Sequence, residues 1–125
     1  MSFTALKDQA YVSLITIRRS GIEVATPIWM ATIDEDFYAF SAAEAGKVKR
    51  LRHTSTVRLA ACDVRGKLLG EYYAGTAELI DDPDTIALAH QALRSKYGWQ
   101  IWIADVGAKL TGRFDKRQYL RMRLA

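Results

Sequence analysis

Residues 11–41, YVSLITIRRSGIEVATPIWMATIDEDFYAFS, decide the fold class. Tyr11 to Arg18 is dense in Val, Leu, Ile and Thr, side chains that suit a pleated, half-buried surface. The turn Arg19-Ser20-Gly21 ends it, and Ile22 to Thr32 forms the next strand. Asp34-Glu35-Asp36 is a polar turn ahead of a short third strand, Phe37 to Ser41. Three strands joined by tight polar turns make an antiparallel meander. Pro27 lies inside the second run, and a proline cannot donate to a ladder, so it belongs at an edge or bulge. That strand is therefore expected to be interrupted near Pro27, leaving backbone groups free for another partner.

Outward from the meander the period changes. Ala42 to His53 places Val48 and Leu51 at i, i+3 among Ala, Glu, Lys and Arg, which predicts a short surface helix. Thr56 to Cys62 returns to strand, Val64-Arg65-Gly66 makes a turn, and Glu71 to Ile80 is a fifth strand. Asp81-Asp82-Pro83-Asp84 is a helix start, with an acidic cap and proline in the first turn. The helix from Pro83 to Tyr97 is expected to bury Ile86, Ala89, His90 and Leu93 and to stop at Gly98. After a tryptophan-containing connection, Gln118 to Leu124 alternates, with Leu120, Met122 and Leu124 on one face and Arg121 and Arg123 on the other. The expected class is mainly β with helices: a small barrel of six or so antiparallel strands, a short helix after the third and a longer one before the last. With no repeat or linker in 125 residues, residues 1–125 read as a single domain.

Composition bounds the function. Half the residues are hydrophobic and 26% are charged, an ordinary globular balance. No apolar run approaches the roughly 18 residues of a membrane span, and Met1 to Gln9 lacks the features of a secretory signal. Cys62 is the one cysteine, which excludes an internal disulfide and a multi-cysteine zinc cluster. A cytoplasmic location is expected from these features. The net charge of +4 favours anionic partners in general.

Two constellations stand out. Lys47, Lys49, Arg50 and Arg52 fall just behind Gly46 at a helix start, where unpaired N–H groups and adjacent cations favour an anion. The residues alone leave three readings open: a solvated charged face, a phosphate site, or a nucleic-acid surface. Ala25-Thr26-Pro27-Ile28-Trp29 pairs a proline-interrupted strand with a tryptophan, either core or an apolar wall for a flat ring. The rest of the catalytic inventory is thin. His53 and His90 are the only histidines, with His90 on the apolar side of its helix; no nucleophile–base pair is suitably spaced and no phosphate-binding glycine loop occurs. No metal site is expected. Tyr97, Trp99 and Trp102 form an aromatic cluster whose role is open between core, dimer contact and pocket wall. An enzyme of this composition would rely on an organic cofactor for the chemistry.

The run Tyr38 to Leu59, YAFSAAEAGKVKRLRHTSTVRL, resembles the cofactor-binding core of the pyridoxamine 5′-phosphate oxidase-like superfamily. The matching positions are Phe40 and Ser41, then Lys47, then Leu51, with Thr54-Ser55 where the family pattern often has Asn-Pro. VATPIWM is similar to the second strand of the branch that uses the deazaflavin coenzyme F-420. The resemblance implies a split β-barrel, FMN-binding-like homodimer, with cofactor at the subunit interface. It implies Lys47 on the cofactor phosphate with Lys49 or Arg50, Thr26, Pro27, Ile28 and Trp29 along the ring, and Ser41 at the ring or ribityl chain. The arginine that true pyridoxamine phosphate oxidases carry near the start of the second strand is absent around Ala25 and Thr26, as is their C-terminal substrate segment. Vitamin B6 oxidation is therefore not expected. The expectation is an F-420-dependent oxidoreductase passing hydride to an electron-poor, largely apolar small molecule, with no nucleic-acid or membrane partner. The alternatives are an FMN-binding reductase or oxidase of the same fold, a non-catalytic flavin carrier, and a nucleic-acid-binding β-barrel. Related sub-branches include biliverdin-type reductases and haem-handling proteins, so the substrate stays open.

Overall fold

In chain order the elements of the computed structural model, which describes residues 2–42, 45–111 and 117–125, are α1 (Ser2–Leu6), β1 (Tyr11–Ile17), β2 (Glu23–Ile28), β3 (Ala31–Ile33), β4 (Asp36–Ala42), α2 (Gly46–Leu51), β5 (Thr56–Cys62), β6 (Tyr73–Ile80), α3 (Pro83–Tyr97), α4 (Trp99–Leu110) and β7 (Arg117–Leu124). The strands form one seven-stranded antiparallel sheet in the order β2-β1-β5-β6-β7-β4-β3. Its two edge strands, β2 and β3, are consecutive in the chain and separated only by Trp29 and Met30. Two residues span no more than about 7 Å, so the sheet must curl until its ends nearly meet. The result is a half-open β-barrel with a seam at Trp29–Met30.

The alternation of the strands follows from this closure. One side fills the barrel with Leu14, Met30, Phe37, Leu59, Leu120 and Met122, all nearly inaccessible to solvent. The other side of β3, β4 and β7 presents Ala31, Tyr38 and Tyr119 to α3 and α4, whose Ala89, Leu93, Tyr97 and Ile101 complete a second apolar cluster. Successive strand residues point to opposite faces, so Phe37 enters the barrel while Tyr38 meets the helices. Both faces of this half of the sheet are therefore covered.

Several expectations need correction. The break in the second run falls at Trp29–Met30, and Pro27 remains inside β2, opposite Ser13. It occupies an edge strand, where its missing N–H leaves no ladder bond unmade. The split yields seven strands. The fifth run begins at Tyr73, because Glu71 and Tyr72 precede the ladder. The tryptophan-containing connection after Gly98 is the twelve-residue helix α4, and α1 precedes the barrel. The helix read over Ala42–His53 is observed only as Gly46–Leu51; Ala42 still belongs to β4, and Ala43 and Glu44 lie outside the described residues. Within α3, Ala89 and Leu93 are buried, whereas Ile86 and His90 are half-buried. The cap of α3 follows expectation: Asp82 accepts from the Thr85 amide at 2.9 Å, with Pro83 in the first turn. Among the described residues no helix is long and apolar enough to cross a membrane.

Candidate functional site

Beside the seam lies an open cleft of about 270 Å³ lined by Tyr11, Pro27, Ile28, Trp29, Phe40, Lys47 and Ala104. Tyr11 opens β1, Pro27 and Ile28 end β2, and Trp29 begins the seam. Phe40 sits on the helix-facing side of β4, Lys47 comes from the first turn of α2, and Ala104 from α4. Apolar and aromatic walls with one cation is the make-up of a small-molecule site.

The structure thus brings together Pro27, Ile28, Trp29 and Lys47, four of the residues singled out by sequence. Thr26, Ser41, Lys49 and Arg50 are not among the lining residues. Thr26 pairs with Leu14 and Ser41 with Gln118, both half-buried, while Lys49 is exposed. Arg50 turns toward β1 and donates from Nε to Thr16 Oγ1 at 2.5 Å. Sequence reasoning missed three lining residues. Phe40 was named as a matching position of the resemblance but given no lining role, Tyr11 was visible only as the first residue of a β run, and Ala104 lies on a helix that was not expected.

At the α2 side of the cleft, cations act on one another. Burial lowers the Lys47 pKa, and the charge of Arg50 lowers it further. Burial likewise lowers that of Arg50, assisted by the charge of Arg18. Arg19 Nη2 stands 3.2 Å from His53 Nδ1. Among the described residues none of Arg18, Arg19, Lys47, Lys49, Arg50 or Arg52 has a carboxylate within ion-pair distance. Lys47 and Arg50 thus bear a desolvation cost, and among the described residues no carboxylate pairs with either, a cost that an incoming anion would relieve.

Two side-chain networks fix the walls. At the seam, the Met30 amide donates to Tyr97 Oη at 2.9 Å, and Tyr97 Oη donates to the Ala10 carbonyl at 2.7 Å. Lys96 Nζ donates to the carbonyls of Gln9 (2.6 Å) and Met30 (2.7 Å). The Trp29 ring stacks on Tyr97 with centroids 5.1 Å apart and planes 21° apart. Burial pushes the Tyr97 phenol up to about 12, so it is protonated throughout the physiological range. On the α4 side, Asp105 accepts from Arg117 Nη1 at 2.7 Å and contacts His90 Nε2 at 2.8 Å. The Arg117 guanidinium lies 4.1 Å over the Phe40 ring. His90 is therefore a tether between α3 and α4, outside the cleft.

No protein-family model and no curated protein matches the sequence. Solved structures do resemble it. One is a protein related to general stress protein 26 of B. subtilis (pyridoxinephosphate oxidase family) from Clostridium acetobutylicum, at 16% identity over 98% of this chain and 80% of that one, TM-score 0.67. Another is a putative 5-nitroimidazole antibiotic resistance protein from Bacteroides thetaiotaomicron, at 12% identity over 97% and 76%, TM-score 0.71. A third is HutZ, a heme storage protein from Vibrio cholerae, at 9% identity over 99% and 86%, TM-score 0.71. Identities this low carry the architecture and not the chemistry. The chain has the split β-barrel fold that these proteins share.

Proposed function

We propose that the chain is an F-420-dependent oxidoreductase that passes hydride to an electron-poor, largely apolar small molecule. The observation that carries the proposal is the cleft itself, where Pro27, Ile28 and Trp29 meet Lys47, which like its neighbour Arg50 has no carboxylate partner among the described residues. The lining fits a flat ring: Trp29, Tyr11 and Phe40 supply aromatic surface, and Pro27 and Ile28 a rigid apolar strand end. Lys47 would hold the phosphate. Arg50, whose charge acts on Lys47, adds to the positive field there, which favours a coenzyme with a further acidic tail. The sequence resemblance implies Lys49 or Arg50 beside Lys47 on the phosphate and Ser41 at the ring or ribityl chain.

When bound, that coenzyme supplies the hydride, and the proton completing the reduction comes from solvent. The protein's share is to seat the ring between aromatic walls, anchor its anionic end, and keep water from the ring face.

The same cleft could take FMN through Lys47, the second reading.

A homodimer is part of the proposal. The inner face of α4 is buried, small or paired (Ile101, Ala104, Asp105), while Trp99, Trp102, Ile103, Val106 and Leu110 recur at helical spacing and face solvent. With aromatic side chains of roughly 150–250 Å² each, these five leave on the order of 600 Å² of apolar surface uncovered. That approaches the ~800 Å² per partner of a standard interface and reaches the top of what monomers expose. The cleft that α4 walls is also smaller than the usual ~300–1,000 Å³ of a ligand site. A second copy on this face would cover the helix and enlarge the site.

Titration with F-420 and with FMN tests the cofactor reading. Preference for F-420 supports it, preference for FMN moves the protein to the second reading, and binding of neither refutes both.

A further inference from the structure

The barrel seam carries its own fastening, and its position has a consequence for the cleft. β2 and β3 stop at either side of Trp29–Met30, so the backbone groups there have no neighbouring strand. The end of α3 supplies the missing partners from side chains. Tyr97 Oη takes the Met30 N–H and gives its proton to Ala10 O, and Lys96 Nζ bonds the carbonyls of Gln9 and Met30. Both groups therefore join the same two pieces of backbone: the entry to β1 and the seam.

Each piece is followed or preceded by an aromatic wall of the cleft. Ala10 precedes Tyr11, and Met30 follows Trp29. Trp29 is held a second time, by its stack on the Tyr97 ring. We propose that Lys96 and Tyr97 are positioning residues, setting the separation of Tyr11 and Trp29 and so the fit of a flat ring, although neither lines the cleft.

The arrangement is specific to these side chains. Tyr97 is buried and Lys96 half-buried, and shortening either would remove a donor from part-buried backbone carbonyls. An ordinary surface lysine forms loose, solvated contacts. Here one ammonium meets two carbonyls at 2.6 and 2.7 Å, from segments twenty residues apart. The anion anchor is mechanically separate. Lys47 and Arg50 sit on α2, which packs on β1 and β6 and makes no hydrogen bond to Lys96 or Tyr97 among the described residues. Ring binding and anion binding should accordingly respond differently when the clamp is loosened.

The proposal rests on the cofactor reading for its ligand, so the experiment includes a readout that needs no ligand. Tyr97→Phe keeps the stack and removes the hydroxyl; Lys96→Met removes the ammonium at a position that tolerates an apolar stem. Both are made in a Trp99→Phe, Trp102→Phe background, leaving Trp29 as the sole tryptophan. Acrylamide quenching of Trp29 is measured first, then affinity for riboflavin (ring without phosphate) and for inorganic pyrophosphate. The expected result is stronger quenching, about tenfold weaker riboflavin binding and unchanged pyrophosphate binding, with Lys96→Arg restoring the parent behaviour. Unchanged quenching in both variants overturns the proposal, as does equal weakening of ring and anion. A parent that binds neither probe refutes the cofactor reading, while increased quenching would still support the clamp.

Discussion

Asp105 is the place where a single atom change should separate α4 from the barrel. The carboxylate, 13% exposed, is shared between Arg117, whose side chain is 8% exposed, and His90, 21% exposed. Asp105→Asn preserves shape but removes the negative charge that Arg117 and His90 share. Breaking a buried ion pair from one side costs about 3–5 kcal/mol. The asparagine oxygen can still accept one bond and Arg117 keeps its place over Phe40, so the low end applies, about 3 kcal/mol. In a domain of this size that lowers Tm by roughly 10 °C. The pH dependence gives a second check. Burial raises the Asp105 pKa, but the bonds from Arg117 and His90 outweigh it and hold the carboxyl below its ordinary 3.8. A depressed carboxylate stabilises fully above its unfolded pKa and loses that contribution as pH falls through the folded value. Thermal melts of wild type and variant should therefore differ at pH 7 and converge only well below pH 4. A variant melting within about 2 °C of wild type at pH 7 would refute the reasoning, as would a gap unchanged at pH 2.

Two further predictions concern the helix face and the anion anchor. Ile103→Glu places a charge at the centre of the exposed α4 stripe and should convert a dimer to monomer in light scattering at micromolar concentration, leaving Tm nearly unchanged in the monomer range. A wild type that is already monomeric, or a variant that stays dimeric, removes α4 from the interface. Lys47→Ala deletes one charge-assisted contact, worth about 1.5–3 kcal/mol, and should weaken cofactor binding by about 10- to 100-fold without altering the far-UV spectrum.

Much of the barrel was readable because its strands obey local rules. The Val-, Ile- and Thr-rich runs, the polar turns and the Asp82–Pro83 cap each declare themselves within a few residues. The seam was legible only as a break near Pro27; that it falls at Trp29 and Met30 and brings the sheet's two edges together is a property of the whole. α4 escaped for a physical reason as well. Its start at Gly98, with φ at +58°, lacks a side-chain cap, and its apolar stripe faces outward, so the pattern reads as a connection rich in tryptophan. In the cleft, Pro27, Ile28, Trp29 and Lys47 were legible as unusual residues in their own segments. Tyr11, Phe40 and Ala104 are ordinary where they stand in sequence and become a wall only after closure. The same holds for Lys96 and Tyr97, whose bonds reach across 66 and 67 residues to Met30.

The measurement that bears most directly on the central claim is a fluorescence titration of the purified protein with F-420 and, separately, FMN, run in parallel on Lys47→Ala. The account predicts micromolar or tighter F-420 binding, clearly stronger than FMN and weakened in the variant. Equal or absent binding of both cofactors, with Lys47→Ala indistinguishable from wild type, would contradict it and leave the cation cluster as a solvated face.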